Sequence, residues 1–203
     1  KYRMVLSSPF IIPGRLMKRF LNIFLTQTSI DDPLREEKKR ANQLARESME
    51  SQAVQDILYA CPQDIAPCGR IQDLRWQLNL EELIRTLCLS TWPGFWQNRP
   101  EDSPPPSHAA IVNISPEMSE SLTRFFSPDQ QGSQKVLFIP DTSGGIFFDL
   151  LIVRALLRLG HKVILALKEG FYFQAPTLWD QEADPVLAEG LNGADVVTEN
   201  QIS

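Results

Sequence analysis

The sequence predicts an α/β protein, in which a helical region is followed by a parallel sheet with connecting helices. Two observations support this fold class. Apolar residues recur at helical spacing between residues 15 and 92. After residue 108 they instead form short continuous runs, which are typical of parallel strands buried on both faces. We therefore expect a helical region over residues 1–107 and an α/β domain over residues 108–203.

Composition places the chain among ordinary globular proteins. It has 203 residues, of which 43% are hydrophobic, and a net charge of −5. Its densest cationic stretch, residues 36–40, contains its own glutamates, so we expect no nucleic-acid partner. No apolar run reaches the roughly 18 residues of a membrane span, and no signal peptide is recognisable, so we expect no membrane partner. Three cysteines without metal-ligand spacing favour a reduced, cytoplasmic protein.

Three helices are expected in the first region. Leu16, Phe20, Ile23 and Phe24 mark the first of them by their spacing. The second is expected to start at Asp32-Pro33, with the aspartate as its cap, the proline at its first position and glutamates in its first turn. A later helix is predicted to start near Asn79.

The segment that joins the two regions, residues 93–107, reads "PGFWQNRPEDSPPPS". So many prolines can sustain neither a helix nor a central strand. The segment is either a linker or a functional loop that carries Trp96, Asn98 and Asp102, and its composition favours the linker.

The second region alternates between strands and helices. The helix that begins at Ser115-Pro116 should turn Met118, Leu122, Phe125 and Phe126 inward. Beyond it we expect strands over residues 136–139, 163–167 and 194–198, a helix over 146–159 that is closed by Gly160, and a helix from Asp184-Pro185 to Gly190. Three parallel strands make a thin sheet, and the chain begins with Lys1, so we expect it to be part of a larger protein.

The segment "VLFIPDTSGG", residues 136–145, leads from the first strand into a helix. Ligands of open parallel sheets bind beyond the carboxyl ends of the strands, where residues 168–180 and 199–203 also lie. Asp141 could hold a metal ion there, with a phosphate between the metal and the helix N-terminus. Alternatively, Asp141 or Ser143 only caps the helix. No standard nucleotide-binding loop is present, and the pattern by itself favours the cap.

Residues 138–180 resemble the core of the damage-control phosphatase family, formerly domain of unknown function 89. That family typically shows a strand, Asp-Asn-Ala-Gly-Glu, an apolar helix with an aspartate, Gly-x-x-Val, a Lys-Gly loop and Asn/Ser-Asp-x-Thr. The matching residues here are Asp141, Gly144, Asp149, Leu150, Gly160, Val163, Lys168, Thr177 and Asp180. "TSIDDPLREEKKRAN" (28–42) is similar to the family's Asp-Pro-x-x-Glu-Lys helix start, and "FWQNRPEDS" (95–103) loosely resembles its Trp-Gly-Asn-Arg-x-Asp-x-Ser segment.

The resemblance implies an N-terminal helical region packed on a Rossmann-like, three-layer domain that continues beyond Ser203. It also implies hydrolysis of a phosphorylated small molecule with a divalent metal, which would be Mn²⁺, Co²⁺, Ni²⁺ or Mg²⁺. Asp141 would be the catalytic metal ligand, with Thr142 and Asp180 as auxiliary ligands. The implied substrate-binding residues are Asn98, Ser143, Gly144 and Lys168.

The sequence departs from the family at the metal site. Thr142 stands in place of the family's asparagine, Ala175 in place of its second aspartate and Gly145 in place of its glutamate. A methyl group cannot bind a cation, and a hard cation requires several oxygen ligands. Two hypotheses therefore stand side by side: a metal-dependent phosphatase, and a pseudoenzyme that binds a phosphorylated ligand or a protein partner without hydrolysis.

Overall fold

The structure is a computed structural model that describes residues 13–62, 65–97, 114–127, 132–191 and 196–198. The first part of the chain is mainly helical, as predicted. Its helices are α1 (Pro13–Thr28), α2 (Arg35–Glu50), α3 (Gln52–Leu58), α4 (Ile71–Ser90) and the short α5 (Gly94–Gln97). Within the described ranges, no helix combines the length and apolarity needed to cross a membrane.

The second part alternates between helices and strands. The elements are α6 (Pro116–Phe125), β1 (Lys135–Phe138), α7 (Gly145–Arg158), β2 (Lys162–Leu167), α8 (Leu178–Ala183), α9 (Pro185–Gly190) and β3 (Val196–Thr198). The strands form a parallel sheet in the order β1-β2-β3. Val136 lies opposite Val163, and Leu165 lies opposite Val196. The predicted parallel arrangement is confirmed, so the carboxyl ends of the strands share one edge of the sheet.

Local capping signals fix several of these boundaries. The Ser115 side chain accepts a hydrogen bond from the Met118 N–H, and the Asp184 side chain accepts one from the Val186 N–H. Each cap is followed by a proline, as predicted. Gly160 follows α7 with a φ of +90°, which suits glycine at a helix end.

Helix α7 lies at the centre of the apolar core. Its residues Ile146 and Phe148 are fully buried. One cluster joins α7 to α2, α5, β2 and α9, and a second cluster joins it to α4. The helices of the first region and the sheet of the second therefore pack around the same helix.

The two faces of the sheet differ in burial. Phe138 and Val163 pack against the core, and Leu165 is buried within it. Leu137 and Ile164 alternate with these residues and are 48% and 43% exposed. In the described ranges the second face is therefore open over β1 and the first half of β2, and the prediction that both faces are buried is wrong there. The end of β2 is buried on both faces, since Leu165, Ala166 and Leu167 are all buried. The three-layer arrangement is not confirmed.

Two helix starts differ from the prediction. Helix α2 begins at Arg35 after Leu34, and no side chain caps it. Asp32 instead accepts hydrogen bonds from the Leu34 N–H at 2.8 Å and from Lys38 Nζ at 2.8 Å. Helix α4 begins at Ile71, well before Asn79. The prediction missed its first two turns because their residues are exposed or half-buried and carry a weak apolar pattern.

Helix α6 does not bury its apolar side as expected. It has no buried residue, and Met118 and Phe125 are 57% and 51% exposed. The prediction that these two side chains face inward is wrong. Phe126 follows the helix and does make a tertiary contact, since its carbonyl accepts a hydrogen bond from Trp76 Nε1 at 3.0 Å.

The first residues of the proline-rich segment belong to the core. Gly94–Gln97 form helix α5, in which Phe95 and Trp96 are buried. The Phe95 ring stacks on Phe148 of α7 at 5.3 Å. The linker interpretation is therefore wrong for these residues, and most of the remaining segment lies outside the described residues.

Candidate ligand site at the N-terminus of α7

The loop between β1 and α7 lies at the carboxyl edge of the sheet, where a ligand was expected. The helix begins at Gly145, and its N-cap is Gly144, whose φ is +79°. No side chain caps this helix, and Asp141 is exposed. The interpretation of Asp141 or Ser143 as the helix cap is therefore wrong.

A side chain from the helical region instead accepts a hydrogen bond from the backbone at the start of α7. Asn42 of α2 accepts a hydrogen bond from the Gly144 N–H at 2.6 Å and donates one to Asp184 Oδ2 at 2.7 Å. The Asn42 side chain is buried, so both bonds are shielded from water. Sequence reasoning missed this residue because the two bonded groups are 102 positions apart and no local pattern links them.

The two glycines allow close contact with α2 and α5. A Cβ on Gly144 would lie 2.7 Å from Trp96 Cβ and 2.9 Å from the carbonyl oxygen of Ala41. A Cβ on Gly145 would lie 2.6 Å from Thr142 Oγ1. A side chain at Gly144 would therefore push α2 and α5 away from the start of α7, whereas one at Gly145 would first displace the Thr142 hydroxyl. The Gly144-Gly145 pair thus brings Trp96 and α2 up to the start of α7.

A cavity of about 420 Å³ opens beside this helix N-terminus. Residues of α2, α5 and the two loops that follow β1 and β2 surround it. The lining residues are Glu37, Arg40, Ala41, Leu44, Trp96, Gln97, Thr142, Ser143 and Gln174. Ligand roles were expected for Thr142 and Ser143, and Trp96 was a candidate in a functional loop, whereas no pattern in the sequence points to Arg40 or Gln174.

Two buried polar groups in the lining have no hydrogen-bond partner among the described residues. They are the Ser143 hydroxyl and the Trp96 indole N–H, and the two residues are 2% and 6% exposed. Buried polar groups in proteins are normally hydrogen-bonded, so each exception needs an explanation. A polar ligand in the cavity would provide one.

The backbone donors around this helix start already have protein partners. The Ser143 N–H donates to the Gln174 carbonyl at 2.7 Å, and the Gly144 N–H donates to Asn42. The Ile146 N–H donates to the Thr142 carbonyl at 3.1 Å. The free backbone N–H groups on which the anion-site expectation rested are thus largely used within the protein.

The structure places Asp180 away from the cavity lining. Its Oδ2 accepts hydrogen bonds from Lys38 Nζ at 3.0 Å, the Thr177 N–H at 2.8 Å and Thr177 Oγ1 at 2.9 Å. Asp180 is 6% exposed and forms a capping box with Thr177 at the start of α8. Lys38 also pairs with Asp32, so one buried cation joins two carboxylates.

Two other predicted substrate-binding residues, Lys168 and Gly144, are not among the residues that line the cavity. Lys168 lies outside the cavity lining, with its backbone paired to Thr177 and its ammonium 5.3 Å from the centre of the Tyr172 ring. Gly144 is the N-cap of α7 and allows the close approach of Trp96 described above. Asn98 lies outside the described residues.

Asp149 is a second acidic group near the loop. Its pKa is raised to about 6, chiefly because burial penalises the charged form. The hydrogen bond that it accepts from Ser90 Oγ at 2.8 Å opposes this rise, and the nearby charge of Asp141 adds to it. Among the residues that the structure describes, no cation pairs with Asp149, whereas Asp180 has Lys38.

The described residues do not fit a hard-cation site. They contain no group of three or more His, Cys, Asp or Glu side chains that could hold a metal ion. Ala175 presents a buried methyl group, and Asp180 is engaged by Lys38. A divalent cation prefers several oxygen ligands, which Asp141 alone does not supply.

Comparisons with known proteins bear on the family. The model of the damage-control phosphatase ARMT1-like domain matches residues 106–177. The crystal structure of a DUF89 family protein from Pyrococcus horikoshii aligns with a TM-score of 0.44 and 18% sequence identity, over 88% of this chain and 54% of that one. The chain thus spans about half the length of that protein. A search of curated proteins gives no match. The family-model match supports the resemblance: over residues 106–177 the chain is similar to the damage-control phosphatase ARMT1-like domain.

Proposed function

We propose that this chain binds a phosphorylated small molecule in the cavity beside the N-terminus of α7. The observation that carries the proposal is the Ser143 hydroxyl, which is buried in the cavity lining without a partner in the described part of the chain. A phosphate oxygen could accept a hydrogen bond from this hydroxyl and end its unsatisfied state. The ARMT1-like match supports a phosphorylated ligand.

Charge and helix orientation favour an anionic group at the same place. Thr142 and Ser143 line the cavity and immediately precede α7, so the positive end of the helix dipole points toward the ligand. Arg40 also lines the cavity and supplies a full positive charge. Glu37 also lines the cavity, but its Oε1 accepts a hydrogen bond from Gln174 Nε2 at 2.9 Å.

Hydrolysis is the second candidate, and the family match favours it. In this proposal Asp141 keeps its role as the catalytic metal ligand, with Thr142 and Asp180 as auxiliary ligands. A bound metal would supply charge neutralisation on the phosphoryl oxygens. The oxygen ligands described above are too few for that role, so binding without turnover is the better-supported function.

A binding assay with matched ligands tests the proposal. Isothermal titration calorimetry would compare glycerol 3-phosphate with glycerol, which differ only in the phosphate. We expect heat of binding for the phosphate ester alone, and Ser143→Ala should weaken its affinity. Equal behaviour of the two compounds would contradict the proposal. Turnover of p-nitrophenyl phosphate that depends on Mn²⁺ would instead establish the phosphatase.

A further inference from the structure

The residues that line the cavity carry side-chain donors from three different elements. Ser143 of the β1–α7 loop offers a hydroxyl, and Trp96 of α5 offers an indole N–H. Arg40 of α2 offers a guanidinium with five N–H donors. In the described ranges no hydrogen bond or ion pair engages the Arg40 side chain, so its fork is available to a ligand.

Two of these residues, Trp96 and Ser143, are held in place by contacts within the protein. The Trp96 ring packs against Gly145 and lies 5.4 Å from the Phe148 ring of the core. The backbone of Ser143 is held by its 2.7 Å hydrogen bond to the Gln174 carbonyl. Such positioning lowers the cost of ordering the site when a ligand binds. The cavity is thus prepared for a compact group with several acceptor oxygens.

A bound phosphate needs a positive charge near it. The residues at the family's metal-ligand positions cannot hold a metal ion at the cavity. Asp141 does not line the cavity, Ala175 has no ligand atom, and the Asp180 carboxylate is bound to Lys38. Arg40 is the cation that does line it. A guanidinium binds phosphate through two parallel charge-assisted hydrogen bonds, so it can supply both charge and geometry.

We infer that this chain binds the phosphate group of its ligand without a divalent metal, through Arg40, with Ser143 and Trp96 as further donors. The inference rests on the proposed phosphate site, and it adds that Arg40 supplies the positive charge of that site. Arg40 is then the residue that selects for an anion, whereas Ser143 and Trp96 fix its position.

Calorimetry with inorganic phosphate provides the test. Each titration is run once in excess EDTA and once in Mn²⁺. We expect the same affinity in both conditions. Arg40→Ala should weaken it by about tenfold or more, because a charge-assisted pair is lost. Arg40→Lys should weaken the affinity less, by about threefold, since the positive charge remains but the two parallel N–H donors of the guanidinium are lost.

Lys39→Ala is the matched control. It removes one positive charge from the same helix, at a residue that lies outside the cavity lining and pairs with Glu36 at 3.7 Å. We expect its phosphate affinity to equal that of the parent chain. All these positions are at least partly exposed, so thermal melting should show each variant folded.

The outcomes separate the two proposals. Phosphate binding that requires Mn²⁺ and withstands Arg40→Ala would overturn the metal-free inference and leave the proposed site intact. An equal loss in Lys39→Ala and Arg40→Ala would overturn it as well, since the effect would then be one of overall charge. Absence of phosphate binding in both conditions would refute the proposed function itself.

Discussion

Helix α2 carries two kinds of polar side chain: some form hydrogen bonds within the protein, and one lines the cavity. Lys38 and Asn42 are both 1% exposed, and protein atoms satisfy them: Lys38 binds two carboxylates, and Asn42 joins α7 to Asp184. Arg40 lies between them in sequence but faces the cavity, where Ser143 is buried without a partner. Burial of a charge alone therefore does not indicate a ligand site. Buried donors that lack a protein partner, such as the Ser143 hydroxyl, do.

The largest effect should follow from loss of the buried cation. Lys38→Met would leave Asp32 and Asp180 buried without their counter-charge. We expect the free energy of unfolding to fall by about 3–5 kcal/mol, as for other buried pairs that lose one partner. Urea denaturation measures this change, with an unchanged slope showing that both states keep their compactness.

Lys39→Met is the control for this substitution. Lys39 is 38% exposed and pairs with Glu36 at the surface. Such a pair contributes little, so the expected change is within about 0.5 kcal/mol. Similar losses in the two variants would show that Lys38 contributes no more than a surface charge, and the comparison would fail.

A second substitution tests the link between α2 and α7. Asn42→Asp keeps the oxygen that accepts a hydrogen bond from the Gly144 N–H. It replaces the amide nitrogen, which donates to Asp184 Oδ2 at 2.7 Å, with a second carboxylate oxygen. We expect a loss of about 2 kcal/mol at pH 7, since two buried like charges repel and a buried hydrogen bond is lost. The loss should shrink as the pH falls, because one of the carboxyls then takes up a proton.

Gln43→Glu makes the same chemical change in the exposed position next to Asn42. The Gln43 amide donates to Glu47 Oε1 at 2.9 Å on the surface of α2. The new like-charged pair should cost only a few tenths of a kcal/mol, because water screens it. A cost as large as that of Asn42→Asp would show that burial does not control these interactions.

The pH dependence of stability should reveal Asp149, the carboxylate without a cation. Its pKa is raised to about 6 in the folded protein from an ordinary value of 3.8. Between these two values the folded state binds more protons than the unfolded state, so stability falls as the pH rises from about 4 to about 6. Asp149→Asn removes the charge and should raise stability by about 1 kcal/mol above pH 6. A gain of equal size at pH 4 would contradict this origin.

Much of the fold was predictable because its signals are local. The caps at Ser115 and Asp184, the stop at Gly160 and the parallel strands all follow from neighbouring residues. Predictions of side-chain partners were poorer. Asp32 was expected only to cap α2. Its Oδ1 does accept a hydrogen bond from the nearby Leu34 N–H, but its Oδ2 also pairs with the buried Lys38, which the local pattern did not indicate.

The candidate site was predicted only in part for the same reason. Its loop could be located, since strand ends and glycines are visible in sequence. The contribution of α2 could not, because Arg40 and Asn42 reach the loop through packing across about a hundred residues of chain. No periodicity encodes such a contact. The absence of a cap on α7 was equally hidden, since the sequence places two capping residues, Asp141 and Ser143, just before it.

The smallest change in stability is expected from Ser143→Ala. This variant most directly tests the difference between polar groups that have a protein partner and those that do not. The Ser143 hydroxyl has no partner in the described structure, so its removal should change the free energy of unfolding by less than about 0.5 kcal/mol. Ser48→Ala is the matched variant. Ser48 is also fully buried, but its Oγ donates to the Phe95 carbonyl at 2.6 Å, so we expect a loss of about 1–2 kcal/mol. Urea denaturation compares the two variants, and calorimetry with inorganic phosphate should show weaker binding by Ser143→Ala. An equal loss of stability in both would mean that the Ser143 hydroxyl already has a protein partner, and its value as a marker of a ligand would disappear.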